Sequence, residues 1–298
     1  KIITVNEIKK FFSEGKNKEH LRAHANPELL DKYLTELSSL SGLNSVKKNV
    51  TKFISSLKVS KLREERGLKV IPKNLHSIFF GNRGTGKTTV ARLLGKIYKE
   101  MGILQKGHLV EIDLSSLSTN VQTKEEQKII IEKALNGILL INETPSVSNN
   151  YNNYTFDSIN TLMQNIEEYD NKIIVILAGN SEEMKEFIEN YFTLKTHLPN
   201  YFTFEDFSPR EMLEIALSIT DMNNYQLDEG AWQLLLEIFT KLYNSKDKNF
   251  ENARTVKNIL YKAISNQEER VLNIYKLKDE DLSTITFEDV KQIDINDL

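Results

Sequence analysis

Gly81-Asn82-Arg83-Gly84-Thr85-Gly86-Lys87-Thr88 fills the pattern G-x-x-x-x-G-K-[ST], and its reading decides the fold. Just before it, Ser77-Ile78-Phe79-Phe80 is a short apolar run with strand character. Just after it, Thr89 to Tyr98 repeats apolar residues at helical spacing. A strand, a loop and a helix in that order are the setting the pattern requires. Glycines let successive backbone N–H groups turn inward at a phosphate, and the positive end of the following helix adds to the pull. Lys87 would neutralise β- and γ-oxygens of a nucleotide and the Thr88 hydroxyl would ligate Mg²⁺. Gly84, Thr85, Gly86 and Thr89 complete the candidate phosphate-contacting stretch. The competing reading, a glycine-rich turn holding a chance lysine, leaves the flanking strand and helix unexplained.

Such a loop needs a second strand that delivers carboxylates to the metal and to the attacking water. Ile138-Leu139-Leu140-Ile141-Asn142-Glu143 is the candidate, with two polar residues at the carboxyl end of an apolar strand. Glu143 is placed to polarise water; a solvated acid at a strand end is the plainer alternative. Asn142 stands where an aspartate is expected. Its amide accepts a hydrogen bond from a Mg²⁺-bound water but brings no charge, so weaker metal affinity and turnover are expected. A further strand, Ile173–Ala178, ends at Gly179-Asn180, where Asn180 reaches a γ-phosphate or simply caps a turn. Arg254, at the start of an amphipathic helix, either swings over a triphosphate or is an ordinary surface charge.

Composition bounds the rest. With 298 residues, 40% hydrophobic and 27% charged, the chain reads as a soluble globular protein of one large or two ordinary domains. A net charge of −3 argues against a general nucleic-acid or membrane binder. Residues 1–70 hold 15 Lys and Arg against 8 Asp and Glu, which a solvated helical surface explains. Zero cysteines exclude disulfides and thiolate chemistry. No apolar run reaches membrane-spanning length and no signal-peptide pattern is visible, so a cytoplasmic protein is expected. The chain opens on a lysine, compatible with a piece of a longer protein.

Residues 1 to about 40 read as two helices, the second introduced by Asn26-Pro27, and a long helix runs from Ser45 toward Glu65. From Leu75 to about Glu205 strands and helices alternate, predicting an α/β layered fold with a mostly parallel sheet. Its strands are expected at Ser77–Phe80, His108–Ile112, Gly137–Asn142, Lys172–Ala178 and Tyr201–Phe204. From Ser208 onward strand signals vanish, and helices are expected around 210–219, 228–243 and 251–273 with a short one from Phe287.

These residues resemble the AAA+ ATPases of the CbbX (Rubisco activase) and stage V sporulation protein K group. The likeness runs from about Leu37 to Val290. It rests on Leu40–Lys48, Gly81–Tyr98, Gly107–Glu111, Ile131–Leu135, Phe207–Pro209 and Asn252–Arg254. The resemblance implies a P-loop NTPase three-layer sandwich with a five-stranded parallel sheet followed by a small all-α lid. It implies ATP and Mg²⁺ as cofactors, a hexameric ring, and a protein client. The implied domains are a helical segment at 1–40, the nucleotide-binding domain at 41–206 and the lid at 207–298. By resemblance, Gly42 and Leu43 would lie near the adenine, Asn180 would be sensor 1 and Arg254 the sensor-2 arginine.

Three departures accompany the likeness. Asn142-Glu143 replaces an Asp-Glu pair. The stretch Asp113–Lys124 lacks the glycine and aromatic ring of a pore loop, which weakens a threading role. At the usual arginine finger the chain reads Leu194-Lys195-Thr196-His197-Leu198-Pro199, with His197 at the finger position. A trans arginine is worth about 10³-fold or more in rate, and neither imidazole nor Lys195 offers its planar fork. The leading expectation is therefore an ATP-binding subunit of a homo- or hetero-oligomer that hydrolyses slowly alone, an intact neighbour supplying arginine. An autonomous remodelling ATPase and an ATP-stabilised, non-catalytic scaffold are the alternatives.

Overall fold

The computed structural model describes residues 26–114, 124–142, 153–169, 172–180, 184–185, 188–189, 192–245 and 250–294. The first of the two expected N-terminal helices, most of the stretch compared with a pore loop, and Glu143 lie outside them. The described chain forms two compact units. The first takes residues up to Leu40, Ser45–Gly81 and Lys87–Thr203; the second takes Ser41–Asn44, Asn82–Gly86 and Phe204–Leu298.

In the first unit, α1 (Pro27–Ser39) starts as expected: the Asn26 side chain accepts from the N–H groups of Glu28 and Leu29, with proline in the first turn. Then come α2 (Asn44–Glu65), β1 (Ser77–Phe80), α3 (Lys87–Glu100), β2 (Leu109–Asp113), α4 (Lys124–Ala134), β3 (Ile138–Asn142), α5 (Asn153–Glu167), β4 (Ile174–Gly179), α6 (Phe192–His197) and β5 (Asn200–Thr203). The strands form one parallel sheet in the order β2-β3-β4-β1-β5. Ile138–Ile141 and Ile174–Ala178 are buried throughout, as strands covered on both faces must be. The order puts β1 beside β4 and β3 beside β2, so the carboxyl ends of four strands line up after Phe80, Asp113, Asn142 and Gly179. That is the edge where open α/β sheets place ligands. Phe79 and Phe53 both meet Phe202 edge-to-face, at 5.4 and 6.4 Å between ring centres.

The second unit contains α7 (Pro209–Met222), β6 (Gln226–Leu227), α8 (Glu229–Ser245), α9 (Ala253–Leu272), α10 (Asp279–Ser283), β7 (Thr284–Ile285) and α11 (Phe287–Lys291). The predicted capping box at Ser208 and Glu211 forms. Its helices surround Met212, Ala216, Leu235, Phe239, Leu260 and Ile285. One feature differs from the sequence expectation: β6 and β7 pair in parallel, two residues each, too short for alternation to reveal. Asp289 is fully buried and takes two bonds from Arg270, at 2.8 and 3.0 Å. Burial pushes its carboxyl upward, but Arg270 and the Thr286 donors outweigh burial and hold it below the ordinary value.

At the amino end of β1, His76 is buried and its Nδ1 accepts the Val175 N–H at 2.9 Å, so a side chain takes over where the ladder stops. Burial first, and His197 second, lower its pKa from 6.5 to about 4. The unfolded chain gains a proton below 6.5 that the folded chain refuses, so this contribution is whole above 6.5 and lost as pH falls towards 4. Wild type should therefore lose about 2 kcal/mol more stability between pH 6.5 and 5 than His76→Asn, which keeps an acceptor but cannot charge. Urea unfolding of both chains at the two pH values measures it; equal losses would refute it.

Candidate functional site

The phosphate-loop sequence forms the loop its pattern predicts. Gly84 and Gly86 have φ of +71° and +92°, backbone that favours glycine. Thr85 is buried and its hydroxyl donates to the Asn82 carbonyl at 2.8 Å, closing the turn from inside. Lys87 opens α3 and its Nζ donates to the Gly81 carbonyl at 2.6 Å. The ammonium is thus drawn back along the loop towards its first residue.

The loop's crown, Asn82–Gly86, is fastened within the second unit by a knot of polar bonds. Asn252 is its centre and is fully buried. Its Oδ1 accepts from Phe207 N at 2.9 Å, while Nδ2 donates to Arg83 O at 3.1 Å and to Asp206 Oδ1 at 2.8 Å. Asn82 donates to both carboxylate oxygens of Asp206, at 2.9 and 3.0 Å, and Ala253 N donates to Gly84 O at 3.2 Å. Asn252 stands at the N-cap position of α9, yet its side chain makes no capping bond. Its φ of +52° and ψ of −121° lie where glycine is favoured, a conformation costing about 1–3 kcal/mol. Glycine would suit the backbone better, but only an amide makes these three bonds. The fit is tight at Gly84, where a Cβ would come within 1.8 Å of Glu251 O.

Beside the knot, Glu251 joins two arginines: Oε1 lies 3.2 Å from Arg83 Nη1 and Oε2 lies 3.4 Å from Arg254 Nη1. Arg254 is largely exposed and tied to its own helix start. Gly42 and Leu43 have φ of +59° and +56°; Gly42 sits against Glu211 and Phe207, and Leu43 beside Gly86.

In the first unit a second group gathers at the strand ends. Glu111 of β2 accepts on a single oxygen, Oε1, from the Thr88 hydroxyl at 3.3 Å and from Asn142 Nδ2 at 2.5 Å. This bond takes the amide nitrogen of Asn142, not the carbonyl oxygen that would accept from a metal-bound water. Thr89 is exposed one residue on. Asn180 follows β4, whose Gly179 carbonyl accepts Gly81 N–H at 3.0 Å, and its own carbonyl accepts from Met184 N at 3.1 Å. His197, at the finger position, has its Nδ1 3.1 Å from Glu167 Oε1.

A hydroxyl, a carboxylate and an amide oxygen are the hard donors that Mg²⁺ takes, so the residues fit that ion. No group of three His, Cys, Asp or Glu that could hold a metal occurs among the described residues. A cation here would need phosphate oxygens to complete its shell. Sequence reasoning missed Glu111, Asp206 and Asn252. The only signal for them was the acidic residue inside an apolar strand and the short stretch Glu251-Asn252-Ala253-Arg254.

Comparison with known proteins agrees with this geometry. Residues 77–197 match the ATPase family associated with various cellular activities (AAA), and residues 208–297 match the AAA lid domain. Stage V sporulation protein K of Bacillus subtilis (strain 168) is 36% identical over 259 residues, covering 86% of this chain and 80% of that protein. The chloroplastic ribulose bisphosphate carboxylase/oxygenase activase of Cyanidioschyzon merolae is 31% identical over 257 residues, covering 84% and 87%. The FIGL-1 AAA domain, solved in complex with ADP, aligns with a TM-score of 0.54 at 15% identity over 88% of this chain and 86% of that one, a likeness of fold alone. The five-stranded parallel sheet, the phosphate loop and the helical lid thus have one source: the chain belongs to the AAA ATPase family, in the group of stage V sporulation protein K and the CbbX-type Rubisco activases.

Proposed function

We propose that the chain binds ATP and ADP with Mg²⁺ and serves as a nucleotide-responsive subunit of an oligomeric protein-remodelling assembly, hydrolysing ATP slowly when alone. The observation that carries this reading is the built loop: glycine backbone at positive φ, held from outside by Asn252 and followed directly by Lys87 and Thr88. Amides of Gly84–Thr88 would cradle the β-phosphate, and the Lys87 ammonium, leaving the Gly81 carbonyl, would meet β- and γ-oxygens. Mg²⁺, when bound, would neutralise charge on the same oxygens, with Thr88 and Asn142 on its protein side. Glu143 is the base in this reading, Asn180 orients the water and Arg254 answers to the γ-phosphate. Gly42 and Leu43 would border the base of the nucleotide.

Slow turnover is supported by what occupies the finger position. His197 already faces Glu167 of its own chain, and an imidazole so paired has no fork to offer a neighbour's phosphate. A neighbour with an intact arginine would remove that deficit, so a mixed ring is the form in which this subunit would turn over fastest. The client in this reading is a protein.

Lys87→Ala should weaken ATP and ADP binding about 10- to 100-fold by calorimetry, the loss of charge-assisted bonds to phosphate. Turnover by the isolated chain should stay well below ~1 s⁻¹; a rate near ~10 s⁻¹ that survives Glu143→Gln would overturn the slow-subunit reading. Asn252→Gly relieves the backbone while deleting the amide. It should speed amide hydrogen exchange over 82–86 about tenfold and leave the strands at 138–142 and 174–179 unchanged; exchange rising everywhere would mean that the amide merely stabilises the chain.

A further inference from the structure

We infer that Glu111 supplies, from the neighbouring strand, the negative charge that Asn142 withholds from the cation, and that it also orients Asn142. This rests on the nucleotide-binding reading above. The pairing of β2 with β3 sets Asp113 opposite Asn142 and Glu111 opposite Leu140, two residues back on the same face. From there the longer glutamate side chain reaches Asn142 at 2.5 Å and Thr88 at 3.3 Å, through the same oxygen. One carboxylate oxygen therefore touches both residues assigned to the metal.

The chemistry of the contact determines which way the Asn142 amide points. A carboxylate accepts only, so the amide must turn its NH₂ to Glu111 and its carbonyl oxygen away. That oxygen is the group able to accept from a metal-bound water or to meet the ion directly. Aspartate at 142 would instead bring a like charge to hydrogen-bond distance of Glu111, which is unfavourable for both. Asn142 and Glu111 together carry a net charge of −1, the charge of one aspartate, moved one strand over. The reduced metal affinity expected from Asn142 alone is thereby offset. Glu111 is a positioning residue: it acts on the cation through Thr88 and Asn142.

The test compares Glu111→Gln, Asn142→Asp and the double variant with the unchanged chain. ADP affinity is measured by calorimetry across a Mg²⁺ titration, and Mn²⁺ binding in the presence of ADP is measured by electron paramagnetic resonance. Glu111→Gln should raise the Mg²⁺ concentration for half-maximal tightening of ADP about tenfold, with ADP affinity in chelator no lower than before. Adding Asn142→Asp to Glu111→Gln should reverse most of that increase, because it returns the charge. Thermal unfolding without nucleotide, expected to be nearly unchanged in Glu111→Gln, confirms that the variant folds. If Glu111→Gln leaves the Mg²⁺ requirement where it was, or weakens ADP equally with and without Mg²⁺, the inference is wrong and the nucleotide reading stands. If Glu111→Gln fails to fold, Glu111→Asp decides, since it keeps the charge but shortens the reach to Thr88 and Asn142: a raised Mg²⁺ requirement supports the inference and an unchanged one overturns it. If the unchanged chain binds no ADP under any condition, the nucleotide reading and this inference fall together.

Discussion

The amide of Asn252 is the constraint on which the loop's geometry depends. A phosphate loop works by aiming backbone N–H groups at one point; Thr85 closes the turn from inside, but the loop's glycines contribute no side chain to hold it against the rest of the chain. In this chain the holding is done from outside, by one buried side chain that binds Arg83 O, Asp206 and Phe207 N together. Its position is backbone-strained, and the strain is tolerated because three good bonds in a buried setting are worth more than a relaxed turn. Gly84, packed to within Cβ distance of the Glu251 carbonyl, has no freedom to be anything else.

A second theme is charge that has moved without being lost. In the proposed metal-binding role, Asn142 judged by its own identity would be a weakened ligand. With its neighbour included, the strand-end group holds a carboxylate that contacts both Asn142 and Thr88. At His197 the partner is Glu167, an acid, which adds no cation to the position. The two departures are thus unequal, one offset inside the chain and the other left to whatever adjoins it.

Much of the fold was legible because it rests on local pattern. The five strands fall within two residues of their expected bounds at each end, since runs such as Ile138–Ile141 are apolar throughout and end at turn residues. Asn26-Pro27 and Ser208-Pro209 announce helix starts by side-chain chemistry that operates within three residues. What was not legible depends on register or on backbone angle. Glu111 becomes part of a site only once β2 and β3 pair, and a glutamate in a half-exposed strand carries no mark of that pairing. Asn252 earns its role from a positive φ and from partners far away in the chain, neither of which periodicity reports. The β6–β7 pair is shorter than the smallest window in which alternation means anything.

The second unit is not continuous in sequence, since it is assembled from residues 41–44, 82–86 and 204 onward. Asn82 and Asp206 are 124 positions apart, and Arg83 and Asn252 are 169 apart. On a ribosome the loop therefore emerges long before anything that can shape it, and it waits, unsupported, while the remainder is translated. Maturation of the phosphate-binding element is consequently a late event in the life of the nascent chain, and a stalled or prematurely terminated polypeptide would carry the motif in full without the competence that the motif advertises.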